Sequence, residues 1–253
     1  MVKIKVAKED GKYSMDELLE IMRILRAPGG CPWDIEQTHK SIRNDLLEEA
    51  YEVADAIDKA DDTALVEELG DLLLQVVFHS AIAQEEESFD YTDVVDGIAK
   101  KLVLRHPHVF RDAKAENSSE VLDLWDEIKR EEKHQTSAAE TLRSVPEAFP
   151  ALMRSAKVQK RAAKAGLNLF DPIKTGALLT SFYELEGAVA AKDMKAARDA
   201  YGEMLFMLSR VGKAIGADPE ETLNTATEAF IDEFEKAEAE AVEKNIPLSE
   251  IFE

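Results

Sequence analysis

Five carboxylates at helical spacing mark the stretch from Leu46 to Phe78 as a place where chemistry could occur. They are Glu48, Glu49 and Glu52 on a first helix-like segment, and Glu68 and Asp71 on a second. At about 100° per residue, Glu49 and Glu52 lie on one helix face, and Glu68 and Asp71 share another. Because the polar turn at 58–63 is short, we predict two antiparallel helices whose acidic faces meet.

The second segment is predicted to be a buried helix, because apolar side chains cover most of its circumference. These side chains are Leu69, Leu72, Leu73, Leu74, Val76 and Val77, and the polar residues Glu67, Glu68, Asp71 and Gln75 form one narrow stripe. An ionised carboxylate in a dry interior is costly unless it is paired or bound to a metal. Lys59 is the one basic residue from Leu46 to Phe78. The pattern therefore favours a hard divalent cation with oxygen ligands over a solvated acidic face.

Composition narrows the classes of partner. The 253 residues include 31 Lys and Arg against 52 Asp and Glu, which gives a formal net charge of −21. This charge argues against nucleic-acid polymers and anionic membranes, and a phosphate-bearing substrate would need metal ions to offset the repulsion. The lone Cys31 excludes an intramolecular disulfide, and the first residues lack an apolar signal core. We therefore expect a soluble cytoplasmic protein.

Helical periodicity without any alternating strand pattern predicts an all-α fold. Helix starts are marked by capping boxes at Ser14-Met-Asp-Glu17 and Ser137-Ala-Ala-Glu140, and by Asp218 followed by Pro219. Two prolines in Val145-Pro-Glu-Ala-Phe-Pro150 interrupt the pattern near the middle of the chain. We predict a domain boundary at this break, with an N-terminal domain at 1–140 and a C-terminal domain at 141–253.

A weak internal repeat relates the two halves. Glu68-Leu-Gly-Asp71 aligns with Ala200-Tyr-Gly-Glu203, and Glu48-Glu-Ala-Tyr-Glu52 aligns with Tyr183-Glu-Leu-Glu-Gly187. In this alignment the second copy keeps two acids, Glu184 and Glu203, which would hold a cation poorly. The pattern indicates a duplicated bundle whose second copy kept its packing and lost its chemistry.

Two further features fit either a structural or a binding role. Trp33 follows the segment Ala27–Pro32, which is rich in Pro and Gly, and it is either a core side chain or a platform for a flat ligand such as a base. Basic side chains gather at a predicted helix end, at Lys100, Lys101, Arg105, His106 and His108. They either complement the helix dipole or bind phosphates.

Several motifs in a fixed order point to a known family. They are Cys31-Pro-Trp-Asp34, Gln37-Thr38, Leu47-Glu-Glu-Ala-Tyr-Glu-Val-Ala-Asp-Ala-Ile57, Glu67-Glu-Leu-Gly-Asp-Leu-Leu-Leu-Gln-Val-Val-Phe78 and Arg105-His-Pro-His-Val-Phe110. With them the chain resembles the MazG family, the tandem-domain nucleoside triphosphate pyrophosphohydrolases. The resemblance extends over essentially the whole chain, strongly at 15–135 and more loosely at 145–240. An E-E-x-x-E stretch alone would be weak evidence for the family in so acidic a protein. The whole set of motifs in this order is highly specific for it.

The resemblance implies an all-α four-helix bundle completed by dimerisation, so we expect a homodimer. It also implies Mg²⁺, with Mn²⁺ as a substitute, and hydrolysis of nucleoside triphosphates to monophosphates and pyrophosphate by attack of water at the α-phosphorus. Such a reaction would serve house-cleaning of nucleotide pools. The family pattern assigns the metal ligands as Glu49, Glu52, Glu68 and Asp71, and Glu48 as the residue that positions the water. It assigns Arg105 and Lys129 as catalytic and substrate-binding cations that face the phosphates. Trp33 is assigned as a neighbour of the base.

The sequence departs from the family pattern in two places. Some members keep an intact acidic site in the second domain, whereas the second site is eroded here, so we predict catalysis in the first domain. The basic pair that some members have before His-Pro-His-Val-Phe is Leu104-Arg105 here, one cation fewer. The alternative interpretation is a non-catalytic helical module for dimerisation or partner binding, since the second half shows that this fold can lose its site.

Overall fold

A computed structural model of the chain describes residues 11–132, 137–167 and 176–251, and over these ranges it is helical without strands. The predicted all-α fold is confirmed. The chain divides into two packed units, one ending at Trp125 and the other beginning at Asp126. The predicted domain limits at 140 and 141 stay a prediction, because a unit of packed residues need not coincide with an independently folding domain. Within the described ranges, no helix has both the length and the apolar character needed to cross a bilayer.

The first unit is built from helices that begin at strong local signals. They are α1 (Met15–Arg26), α2 (Pro32–Glu36), α3 (Arg43–Asp58), α4 (Asp62–Glu85), α5 (Tyr91–Arg105) and α6 (Pro107–Phe110), while α7 (Ser118–Glu132) runs across the border between the units. The predicted capping box at α1 is confirmed, since Ser14 Oγ accepts from the Glu17 N–H and the Glu17 carboxylate accepts from the Ser14 N–H. Asp61 caps α4 in a similar way by accepting from Thr63 and Ala64.

The core of the first unit forms where α1 crosses the second half of α4. Met22 and Ile42 pack there against Val77, Phe78 and Ile82. The first half of α4 lacks this cover, and Leu69 on it is 49% exposed. The prediction that α4 is a buried helix therefore holds for its second half and is wrong for its first half in the single chain. Apolar side chains all round a helix predict that other segments pack against it. Which of those segments belong to the same chain is decided by the tertiary fold.

A buried arginine fastens α2 to α4. Arg26 donates to both carboxylate oxygens of Glu85, from Nε at 2.8 Å and from Nη2 at 2.7 Å, and its guanidinium lies 5.2 Å from the centre of the Phe78 ring. The same side chain also donates to the backbone carbonyls of Asp34 and Gln37. Because Arg26 is buried and bonds to the middle and the C-cap of the short α2, it helps to fix the helix that carries Trp33.

The second unit contains the last five α-helices and a short 3-10 helix. They are α8 (Ala138–Arg143), α9 (Ala151–Lys164), α10 (Ala177–Ala190), α11 (Met194–Ile215), α12 (Pro219–Lys244) and the 3-10 helix Leu248–Glu250. The capping box of Ser137 with Glu140 and the N-cap at Asp218 are confirmed. Glu220 at the start of α12 also accepts from the backbone N–H groups of Leu152 and Met153, which ties α12 to the N-terminus of α9.

The same helical hairpin occurs once in each unit. After α3, Ala60 has a φ of 51° and the N–H of Asp61 donates to the carbonyl of Ala56 at 3.0 Å. After α10, Lys192 has a φ of 58° and the N–H of Asp193 donates to the carbonyl of Ala188 at 2.9 Å. Each aspartate then caps the helix that follows, Asp61 at α4 and Asp193 at α11. The two turns are therefore equivalent residue by residue.

This equivalence corrects the predicted alignment of the first helices. Asp61 corresponds to Asp193, and the same offset pairs Glu48 with Thr180, Glu49 with Ser181, Glu52 with Glu184, Glu68 with Ala200 and Asp71 with Glu203. The alignment of Glu48–Glu52 with Tyr183–Gly187 was wrong by three residues, because acidic residues alone cannot distinguish neighbouring helical turns. Glu184 and Glu203 remain the two retained acids in the corrected register.

Candidate metal centre and nucleotide site

Three predicted ligands come together between α3 and α4. Glu49 on α3 and Glu68 and Asp71 on α4 each offer a carboxylate oxygen, and these oxygens all lie within 4.8 Å of one another. All three side chains are half-buried. In the part of the chain that the structure describes, this is the one group of three or more potential metal-ligating residues at such distances.

The capped turn between the helices sets this arrangement. Because the hairpin is antiparallel, a residue farther from the turn on α3 meets a residue farther from the turn on α4. Glu49 on α3 accordingly meets Glu68 and Asp71 on α4. Glu52, the fourth predicted ligand, is exposed and lies outside the group of three, but its carboxylate raises the pKa of both Glu49 and Glu68.

The carboxylates repel one another in the absence of a cation. Burial raises the pKa of Glu49, and the charges of Asp71, Glu52 and Glu68 raise it further. Burial also raises the pKa of Glu68, with added contributions from Glu52, Glu67 and Asp71. The one lysine nearby in sequence, Lys59, donates instead to Asp55 at 2.6 Å, one turn back on α3. The site thus concentrates negative charge where a cation would relieve it.

The donor set fits a hard divalent cation. It consists of carboxylate oxygens alone, which are the ligands that Mg²⁺, Mn²⁺ and Ca²⁺ prefer. Two oxygens on opposite sides of one Mg²⁺ are about 4.2 Å apart, at a metal–oxygen distance of about 2.1 Å. A group whose oxygens already lie within 4.8 Å therefore needs only small side-chain rotations to hold such an ion.

Glu48 and Trp33 both lie at the surface of the first unit. Glu48 is exposed beside Glu49 on α3 and does not belong to the group of three oxygens. Trp33 is 58% exposed, and its ring meets the buried Phe78 edge-on with a centroid distance of 6.3 Å. One edge of Trp33 therefore rests on the core while most of the side chain is exposed, so it is not a core side chain. Its contact with a base stays a prediction.

Members of the predicted basic cluster make local contacts, and the rings of His106 and His108 lie 5.6 Å apart. Lys100 pairs with Asp96 at 2.5 Å, and His106 Nδ1 lies 2.6 Å from the carbonyl of Leu102. Arg105 ends α5 and places its guanidinium 5.3 Å from the centre of the Trp125 ring. Lys129 lies on α7 in the second unit. The roles of Arg105 and Lys129 toward phosphates stay predictions.

Two features of the first unit were not assigned a role from the sequence. Gln75, one turn after Asp71, is 7% exposed, and its Oε1 has no hydrogen-bond partner. His39 and His79 stack with a ring-centroid distance of 5.0 Å and bring their Nδ1 atoms to 2.8 Å. A polar residue inside the apolar run of α4 was the available signal for Gln75, whereas the histidine pair depends on a contact between distant segments.

Known proteins resemble this chain over much of its length. The model of the MazG nucleotide pyrophosphohydrolase domain matches residues 37–110, which include all five predicted carboxylates. A nucleoside triphosphate pyrophosphohydrolase of Escherichia coli (strain K12) is 44% identical over 231 residues, which cover 88% of this chain and 87% of the relative. The nucleoside triphosphate pyrophosphohydrolase/pyrophosphatase MazG of Thermotoga maritima is 37% identical over 230 residues, covering 91% of this chain and 87% of the relative.

Among solved structures, a mazG-related protein from Thermotoga maritima is 32% identical and covers 46% of this chain and 99% of its own, with a TM-score of 0.40. The family assignment rests on the two relatives from Escherichia coli and Thermotoga maritima, together with the matched domain that contains Glu49, Glu68 and Asp71. By these similarities the chain belongs to the MazG family of nucleotide pyrophosphohydrolases.

Proposed function

We propose that this protein hydrolyses nucleoside triphosphates to nucleoside monophosphates and pyrophosphate, with Mg²⁺ as its metal and Mn²⁺ as a substitute. The observation that carries the proposal is the group formed by Glu49, Glu68 and Asp71, which lies within the segment that matches the MazG domain. Relatives that bear the name of this activity align with most of the chain.

Four carboxylates would hold the metal. Glu49, Glu68 and Asp71 supply the converging oxygens, and Glu52 is the fourth ligand, supported by the effect of its charge on the pKa of Glu49 and of Glu68. When bound, Mg²⁺ would neutralise phosphate oxygens and lower the pKa of water. The raised pKa values of Glu49 and Glu68 support this assignment, since a cation would remove the repulsion that raises them.

The remaining side chains would orient and stabilise the reacting groups. Glu48 accepts a proton from the attacking water, whose oxygen forms a bond to the α-phosphorus while the bond to the bridging oxygen breaks and pyrophosphate leaves. Arg105 and Lys129 stabilise the charge that develops on the phosphates. Trp33, whose side chain is largely open, stacks on the base.

The test is a product analysis on a panel of triphosphates that includes the common bases and damaged ones. We expect pyrophosphate and a monophosphate with Mg²⁺ or Mn²⁺, and no turnover after chelation. Release of orthophosphate would show cleavage at the γ-phosphate and contradict the proposal. Absence of turnover on every member would instead favour a non-catalytic helical module.

We further propose that the protein is a homodimer in which a second copy covers the open face of the first unit. This proposal is supported by exposed apolar side chains along α3, α4 and α5, which include Tyr51, Leu69, Leu73, Ile98 and Leu102. Such a run of apolar surface is typical of an association face. Sedimentation at micromolar concentration should give twice the mass of the chain, and a mass of one chain throughout would rule the dimer out.

A further inference from the structure

Exposed apolar side chains recur at equivalent positions in the two units. The residues proposed above for the association face of the first unit lie on α3, α4 and α5. In the hairpins, the register of the two turns gives three equivalent pairs, which are Tyr51 with Tyr183, Leu69 with Tyr201 and Leu73 with Leu205. Tyr51 and Tyr183 are each 59% exposed, Tyr201 is 56% exposed, and Leu205 is half-buried. The second hairpin thus keeps the apolar surface of the first.

The third helix of each unit extends this surface. Asp90 caps α5 by accepting from the N–H groups two and three residues later, and Asp218 caps α12 in the same way. Counted from these caps, the equivalent pairs are Ile98 with Ala226 and Leu102 with Phe230. Phe230 is 66% exposed, and Ala226 is exposed as well. All five positions of the proposed face are therefore apolar in both units.

This repetition separates the apolar surface from the metal site. Three of the five carboxylates of the first hairpin are replaced in the second, by Thr180, Ser181 and Ala200, whereas the apolar positions are kept. A run of large apolar side chains that face water is typical of an association face. Because the surface is present where the carboxylates are not, its role in the second unit does not depend on the metal site.

The charge of the hairpins favours contact between two second units in the absence of metal. Residues 46–78 contain ten Asp and Glu against one Lys, so two copies of this hairpin repel each other unless cations are bound. The equivalent residues 178–210 contain five Asp and Glu against four Lys and Arg, so two copies approach with little repulsion. At 100° per residue, the acids on the side of α12 opposite Phe230 are Glu221, Glu228, Asp232 and Glu235.

We infer that the second unit binds the second unit of another copy of this chain, and that this contact needs no metal. The surface that makes the contact consists of Tyr183, Tyr201, Leu205, Ala226 and Phe230. In a two-fold contact the same patch serves both chains, so no other partner is required. The inference extends the homodimer given under the proposed function and does not depend on the proposed hydrolysis. The unit that lost its carboxylates thereby keeps a function, which is to hold the two chains together.

The experiment measures the dimer dissociation constant of the full chain by sedimentation, in EDTA and in Mg²⁺. The wild-type protein should be a dimer under both conditions. The double variant Tyr183→Glu with Phe230→Glu should bind its copy about a hundredfold more weakly in EDTA, because it places carboxylates of the two chains against each other. Phe230→Ala, which adds no charge, should weaken the dimer by about tenfold.

The matched control is Tyr51→Glu with Leu102→Glu, the equivalent change in the first unit. In EDTA it should change the dissociation constant by no more than about twofold. Val242→Glu is a second control with the same expectation, because Val242 is 76% exposed on α12 but lies beyond Glu233, the position equivalent to the end of α5. Circular dichroism checks that each variant keeps its helicity.

The outcomes separate this inference from the proposals on which it builds. A wild-type protein that is a dimer in Mg²⁺ and a single chain in EDTA would overturn the inference and leave the dimer through the first unit standing. Wild-type dimerisation of Tyr183→Glu with Phe230→Glu would overturn it in the same way, and so would dissociation of the first-unit control in EDTA. Pyrophosphate release is assayed on the same samples, and its absence from a dimeric wild-type protein would contradict the proposed hydrolysis alone.

Discussion

The two hairpins of this chain have the same backbone and different chemistry. Both turn through one residue with a positive φ, Ala60 in α3–α4 and Lys192 in α10–α11, and both continue into a helix capped by an aspartate. In the first hairpin Glu49 and Glu68 are half-buried and form a cluster of carboxylates with Asp71. Their equivalents in the second hairpin, Ser181 and Ala200, are buried, with exposures of 6% and 8%. The fold is therefore determined by the turn and caps, and the site by a few positions where the helices meet.

The difference also shows what the acidic site costs. Small or apolar residues at Ser181, Ala200 and Met207 fill the contact between α10 and α11, which stabilises the hairpin. In the first hairpin the same positions are occupied by Glu49, Glu68 and Gln75, which repel one another or lack a partner. Carboxylates of the proposed metal site thus occupy positions that the second hairpin uses for packing.

The largest expected effect is a difference in activity between variants of acids in the first hairpin and variants of acids in the second. Asp71→Asn or Glu49→Gln should lower the rate of pyrophosphate release by about a hundredfold or more, because each removes a proposed metal ligand. Glu203→Gln, the equivalent change in α11, should leave the rate nearly unchanged. The same contrast is expected between Glu52→Gln and Glu184→Gln. The measurement is kcat/KM with saturating Mg²⁺, with helicity checked by circular dichroism.

Two results would break this comparison. Wild-type turnover in both Asp71→Asn and Glu49→Gln would show that the carboxylates of α3 and α4 are not the active site. A large loss in Glu203→Gln would show that the second hairpin takes part in catalysis after all.

A second prediction concerns rebuilding the lost site. The double variant Ser181→Glu with Ala200→Glu should lower the unfolding temperature by about 5 °C or more, because it forces two charged side chains into buried positions. Thr180→Glu is the control, since Thr180 is exposed and corresponds to Glu48. Differential scanning calorimetry measures both. An unchanged unfolding temperature in the double variant would mean that the second hairpin can accept acids without cost.

The smallest expected effect is the pH dependence of the metal-free protein. Because the folded chain raises the pKa of Glu49 and Glu68, their ionisation opposes folding. The penalty is absent below the ordinary carboxyl pKa of 4.5 and is complete above the raised values, so stability falls as pH rises through this interval. Glu49→Gln should therefore raise the unfolding temperature in EDTA by about one or two degrees at pH 7, and not at pH 4.

The control for this prediction is Glu48→Gln, which removes an exposed carboxylate from the same helix. Added Mg²⁺ should stabilise the wild-type protein more than Glu49→Gln. Equal unfolding temperatures of Glu49→Gln and the wild-type protein in EDTA at pH 7 would contradict the proposed repulsion.

Local features of this molecule were predictable from the sequence. Ser14 with Glu17 and Asp218 with Pro219 specify helix starts through hydrogen bonds that reach only three residues along the chain. The grouping of Glu49 with Glu68 and Asp71 was predictable for a related reason, since a short turn forces neighbouring helices to lie antiparallel. The register that relates the second hairpin to the first was not predictable from the sequence. Acidic residues recur at several helical turns and do not identify which turn in one hairpin is equivalent to which turn in the other.

The sequence by itself determined the all-α fold, the helix caps and the pairing of the acidic faces, since each follows from spacing within one helix or one short turn. Only the tertiary structure decided that Leu69 is open while Phe78 is buried, that Arg26 fastens α2 to α4, and that Gln75 is left without a partner. These outcomes depend on which distant segments cover a given helix face. Periodicity shows that a face requires cover, but contacts between distant residues determine which part of it is covered.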